Sequence, residues 1–173
     1  ALMSFSHQSV ACFIFNEDRS EVLLVKRRDV PVWVIPGGAI DPGETPEEAA
    51  LREGIEETGY SLQMARKIGE YLPQNRLTNH TFAFECTITG GSPKLSDEIQ
   101  EIAFFPLNNL PYHLPPPYPK WIARAAENLP PFREVETGVT YMTFVKYLVK
   151  HPILVGRFLL ARCGLTINDK DKS

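Results

Sequence analysis

Residues 37–60, GGAIDPGETPEEAALREGIEETGY, constrain the fold of this chain more than any other stretch. Two glycines open the run, where backbone can pass close to a ligand or neighbour. Thr45 suits an N-cap and Pro46 the first helical turn, and Glu48, three residues past Thr45, completes a capping box. Gly59 supplies the left-handed residue that stops a helix. The spacing predicts a helix over 45–58. At about 100° per residue, Glu53, Glu56 and Glu57 share one side of it. Leu51, Gly54, Ile55 and Thr58 share the opposite side, toward a core, and Ala49 and Ala50 flank the carboxylates and leave room above them.

Three carboxylates on one patch repel each other unless a cation lies between them. Hard oxygen ligands suit Mg²⁺ or Mn²⁺, which also bridge phosphate oxygens. The competing reading is a solvated, charged helix face. The Gly-Gly loop, the caps and Arg52 at fixed offsets argue against it.

The full pattern is Gly38, five residues, Glu44, seven residues, Arg52-Glu53, then Glu56, Glu57 and Gly59. It resembles the Nudix box, the signature of the Nudix hydrolase family, with every fixed Gly, Glu and Arg position occupied. LLVKRR…VWVIPGG is also similar to the usual approach to that box. The resemblance covers residues 8–130 and implies an α/β/α sandwich with a mixed β-sheet. It implies a divalent-metal-dependent hydrolase that cleaves the diphosphate linkage of a nucleoside diphosphate derivative by water attack on phosphorus. Mg²⁺ is the expected cofactor, with Mn²⁺ as its substitute.

Carried over position by position, Glu53, Glu56 and Glu57 become metal ligands, joined by the carbonyl of Gly37 or Gly38. Arg52 orients a neighbouring glutamate, and Glu44 locks the loop to the helix. The general base is a box glutamate such as Glu53 or an acid outside the box. SDEIQEIAFF is similar to the acidic segment in which family members place a further glutamate. Glu98 is the candidate there, as metal ligand or base, with Asp97 and Glu101 beside it; an ordinary solvated turn is the competing reading. The chain departs from the box at Gly54 and Tyr60, where aliphatic residues are usual. Glycine in mid-helix costs about 1 kcal/mol relative to alanine. Gly54 is therefore expected to admit a close neighbour, with Ile55 taking over some packing.

The substrate stays open between nucleoside triphosphates and the NDP-sugar or ADP-ribose type. Arg27, Arg28, Arg76 and Lys94 are phosphate-binding candidates, and Trp33, Tyr71, Phe82 and Phe104 are candidates for base stacking, each against a core or surface role. No coenzyme A signature precedes the box. The proline or tyrosine that marks ADP-ribose and dinucleoside-polyphosphate hydrolases is not at its downstream offset. The alternative to an enzyme is a non-catalytic Nudix-fold module that binds or senses a nucleotide. Such modules generally lose box carboxylates, and this chain keeps them.

A net charge of −3 and a pI near 5.8 give no electrostatic case for nucleic-acid binding. Cys12, Cys86 and Cys163 form no CxxC pair and read as reduced, mostly buried thiols of a cytoplasmic protein. The opening ALMSFSHQS is not a signal peptide.

Strands are expected at 9–15 and 21–27, paired as a hairpin, then at 32–35, 65–72, 81–89 and 102–106, with a second helix at 120–128. Proline-dense 110–120 reads as a rigid connector bordering the cleft. Residues 131–173 form a C-terminal extension, expected helical with disordered last residues. Within 140–165, Phe144, Tyr147 and Leu148 oppose Lys146 and Lys150, and Pro152 interrupts the pattern. Its five basic or histidine residues make a poor membrane span, and no membrane association is expected of it. A helix pair packed on the domain is expected, with a homodimer contact or an interfacial membrane patch as competing readings.

Overall fold

Alternation along the first strand decides the layering. The computed structural model of the chain describes residues 7–165, so the disorder expected of the last residues lies outside the described part. In chain order the elements are β1 (Gln8–Phe13), β2 (Glu21–Arg27), β3 (Trp33–Val34), β4 (Gly37–Ala39), α1 (Pro46–Thr58), β5 (Tyr60–Leu72), β6 (His80–Gly91), β7 (Ile99–Pro106), α2 (Tyr118–Ala126), β8 (Phe132–Val135), α3 (Tyr141–Lys150) and α4 (Pro152–Arg162). Five strands form a mixed sheet in the order β4-β1-β6-β5-β8, and three form a second, β3-β2-β7. Central β1 runs parallel to β6 and antiparallel to β4.

Successive residues of β1 face opposite ways. Val10 packs with Ala49 and Ala50 of α1 and Phe84 of β6, and Cys12 joins Ile14, Leu23 and Cys86 beside Leu51 and Leu62. Ala11 and Phe13 face the other way, into the cluster that holds Trp121, Ile122 and Ala125 of α2 with Val22, Leu24 and Tyr71. The five-stranded sheet is thus covered by α1 on one face and α2 on the other, the expected α/β/α arrangement. No helix among the described residues is long and apolar enough to cross a membrane.

Several expectations change. The strands expected to pair as a hairpin share only one bridge, Phe15 to Val22, and then part into different sheets. β1 has β4 and β6 on its two edges, so β2 pairs instead with β3 and β7. The expected Gly-Gly loop is itself a strand, β4. A Cβ on Gly37 would lie 2.1 Å from the Val10 carbonyl oxygen, so only glycine permits this approach. β5 begins at Tyr60, directly after α1, and β7 begins at Ile99, so Glu101 lies within a strand. β8 was not foreseen. Ala49 and Ala50, expected to flank the carboxylates, are fully buried core residues, and Ile55, expected to face the core, is 43% exposed.

The C-terminal helices pack on the domain. Leu154, Phe158 and Ala161 of α4 cover Val25, Val30, Val32, Val34 and Ile99. Arg157 donates to the carbonyls of Asp29, at 3.0 Å, and Arg28, at 3.2 Å.

Candidate active site

The capping box forms as its sequence predicts. Thr45 Oγ1 accepts from the Glu48 amide at 3.2 Å, and the Glu48 carboxylate accepts from the Thr45 amide at 3.2 Å. Gly59 ends α1 at φ 81°, and its amide donates to Ile55. These bonds fix the ends of α1, while burial of Ala49, Ala50, Gly54 and Thr58 against the sheet sets its rotation and therefore which glutamates face inward.

Arg52 ties the helix to the preceding loop. Its Nε and Nη2 donate to the two Glu44 oxygens at 2.7 and 3.0 Å, Nη1 donates to Glu53 at 3.0 Å, and Nη2 reaches the Ala39 carbonyl at 3.1 Å. Bonding to Arg52 holds the Glu44 carboxyl below its usual range, and bonding to Glu44 raises Arg52 well above its own. Glu44 also accepts from the Asp41 amide.

A cleft of about 740 Å³ opens beside this helix. Glu53 and Glu57 of α1, Gly37 and Gly38 of β4, and Asp97 and Glu98 from the turn before β7 all line it. Glu57 accepts a hydrogen bond from the Gly37 amide at 3.1 Å. The Glu53 carboxylate lies against Gly38, where a Cβ would come within 2.5 Å of it. Burial, then the charges of Glu53 and Glu98, push the Glu57 carboxyl up to about 8. Burial also raises Glu53, with Glu56 and Glu98 adding to it, although Arg52 opposes the rise. Burial and mutual repulsion make these carboxylates costly to ionise, a cost that a nearby cation relieves. A hard oxygen donor set of this kind fits a divalent cation. Among the described residues no three acidic, His or Cys side chains already converge as a closed cage. Arg52 bonds Glu53 and the Gly37 amide bonds Glu57, so a bound ion would compete with these partners for the carboxylates.

Of the remaining candidates, Arg27 lines the cleft and forms an ion pair with Asp29. Burial opposes ionisation of Asp29, yet the Arg27 bond holds its carboxyl below the usual range. Glu56 is 60% exposed, donates no surface to the cleft and accepts a bond from Arg52. The Arg28 amide and side chain hold the Glu98 and Ser96 carbonyls, so it braces the acidic turn and does not line the cleft. Arg76 is exposed in the loop whose next residues, Leu77, Thr78 and Asn79, line the cleft. Trp33 packs edge-on to Phe105 at 4.7 Å, outside the lining. Tyr71 stacks on Trp121 in the core, Phe82 and Phe104 pack against sheet clusters, and Lys94 lies by Gly59 at the far end of α1. Sequence reasoning missed Asp29, Tyr118 and Trp121 as cleft residues. The proline-dense connector held the signal for Tyr118, since it does border the cleft through Pro117 and Tyr118.

The model of one protein family, the NUDIX domain, matches residues 5–129. The chain belongs to the Nudix family. Its Nudix relatives include the "Putative 8-oxo-dGTP diphosphatase" of Bacillus subtilis (strain 168), 46% identical over 84 residues, which are 49% of this chain and 55% of that protein. The ADP-ribose pyrophosphatase of Methanocaldococcus jannaschii is 36% identical over 113 residues, 62% of this chain and 67% of that one. This chain therefore spans little more than half the length of the first of these relatives. Among solved Nudix structures, the MutT protein from Methanosarcina mazei Go1 matches 75% of this chain and all of its own, with a TM-score of 0.61 and 25% identity. An ADP-ribose pyrophosphatase from Streptococcus suis matches 76% of this chain and 99% of its own at TM-score 0.61 and 22% identity, a likeness of fold.

Proposed function

We propose that the chain is a divalent-cation-dependent Nudix pyrophosphohydrolase acting on a nucleoside diphosphate derivative. One observation carries this reading: Glu53, Glu57 and Glu98 line a single cleft, where burial and then the charges of Glu53 and Glu98 raise the proton affinity of Glu57. Non-catalytic modules of this fold generally lose box carboxylates, and this chain keeps Glu53, Glu56 and Glu57.

Glu53, Glu57 and Glu98, with the Gly38 carbonyl, would hold Mg²⁺ or Mn²⁺, and Glu56 would stand at the margin. A divalent cation held there would supply Lewis acidity, activating water for attack and offsetting phosphate charge. Arg52 acts through Glu44 and Glu53, fixing the rotamer of the latter without touching substrate. Arg27 at the cleft wall would meet a phosphate, and Glu98 or Glu53 would take the proton from water. The names of the relatives support nucleotide substrates of either the 8-oxo-dGTP or the ADP-ribose type.

The test is phosphate release from nucleoside triphosphates, ADP-ribose, nucleoside diphosphate sugars and dinucleoside polyphosphates, with an added phosphatase to reveal monoester products. Cation-dependent turnover of one class is expected, with Glu57→Gln lowering kcat about 100-fold or more. Nucleotide binding without turnover of any class would reduce the box to a binding scaffold and overturn the proposal.

A further inference from the structure

The outward face of α3 and α4 takes no part in the site described above. On α3 the exposed residues are Tyr141, Met142, Val145, Lys146, Val149 and Lys150, one continuous side of the helix, while Phe144 and Tyr147 turn toward the domain. Val149 is 78% exposed, and Ile153, at the start of α4, is 79% exposed. Tyr112, 70% exposed, joins them across the chain: its ring lies 5.4 Å from that of His151, and Lys150 Nζ sits 5.8 Å from its centroid.

Charge decides what this face can meet. Residues 140–165 contain no acidic residue, and of their four basic ones Lys146 and Lys150 lie on this face while Arg157 bonds inward to the Arg28 and Asp29 carbonyls. Among the described residues neither Lys146 nor Lys150 makes an ion pair. A second copy of the chain in a two-fold contact would present this same face, and residues 140–165 hold no acidic residue to pair with its lysines. An anionic bilayer surface satisfies both halves of the pattern. Exposed Val, Ile, Met and Tyr enter the boundary between headgroups and acyl chains, and the lysine stems lie along it with their ammonium groups at lipid phosphates. Both helices are too short to span, so the contact lies in the membrane plane.

We propose that the outward face of α3 and α4, with Tyr112, docks the protein on anionic lipid surfaces. This rests on the helical extension alone and is independent of the hydrolytic reading. The full chain is sedimented with vesicles of phosphatidylcholine, with or without phosphatidylglycerol. Binding to the anionic vesicles only, weakening as salt rises, is expected. K146A/K150A should weaken it about 25-fold, at about five-fold for each basic residue, and V149S/I153S should abolish most of what is left. All four side chains are exposed, so thermal melts should match the parent chain, and hydrolysis should be unchanged because none lines the cleft. Failure to bind anionic vesicles, equal binding to neutral ones, or a dimer in sedimentation equilibrium that V149S/I153S dissolves would each overturn the proposal.

Discussion

Glu57 concentrates the electrostatics of the site in one carboxyl group. Its folded pKa is about 8, against 4.5 for the free side chain, and burial is the largest cause. Between those values the folded chain holds a proton that the unfolded chain has released. Stability therefore falls as pH rises through this window and levels off above about 8. In chelator, the melting temperature should drop between about pH 5 and pH 8, and Mg²⁺ should restore it most at the upper end, where a cation replaces the proton. Glu57→Gln should flatten the profile and remove the Mg²⁺ effect. An identical profile in the mutant would assign the pH dependence to other groups. At this scale the placing of Glu53 and Glu57 on one side of α1 was legible because their order along the helix fixes their angular positions, whereas Glu56, expected beside them, lies outside the cleft lining. Asp29 was not, because its ion pair with Arg27 gains meaning only from the cleft wall that both occupy.

α1 is the element on which local and tertiary demands disagree. Propensity alone disfavours Gly54 by about 1 kcal/mol, yet a Cβ there would meet Leu62 Cδ1 at 2.6 Å and Cys12 Sγ at 2.9 Å. The close neighbour expected at Gly54 is thus present, in β5 and β1. Gly54→Val should destabilise the protein by about 1–3 kcal/mol, because overpacking this seam moves α1 off the sheet. Urea unfolding would measure the loss. A second sign is a fall in activity larger than the change in stability explains, since the same shift displaces Glu53 and Glu57. If Gly54→Val were neutral, the seam would be looser than its distances state.

For the whole molecule, α4 lies outside the residues that match the Nudix model and packs beside the cleft. α4 covers the apolar cluster of β2 and β7, and Arg157 holds the carbonyls of Arg28 and Asp29. Those two residues follow Arg27 directly, and Arg27 and Asp29 line the cleft. Arg157→Ala should cost about 1–3 kcal/mol by leaving backbone acceptors without a partner. It should raise KM more than it lowers kcat, since it loosens a binding wall and leaves the carboxylates in place. Steady-state kinetics on the substrate found by the panel would separate the two, and a pure kcat loss would contradict the assignment.

What the sequence determined by itself was whatever depends on neighbours within one or two helical turns. The Thr45 and Glu48 capping box, the Gly59 stop, the Arg52 to Glu44 bonds and the carboxylate side of α1 all belong here. So does the Nudix family, because its signature lies in one run. The strand partners of β1, the conversion of Gly37–Ala39 into an edge strand, β8, and the seat of α4 over Val30 and Val32 were decided by the tertiary structure. A strand's alternation states which side chains are to be buried but not which backbone will bond its edges. That choice depends on contacts far apart in the chain, and so does the meeting of Glu98 with Glu57 across the cleft.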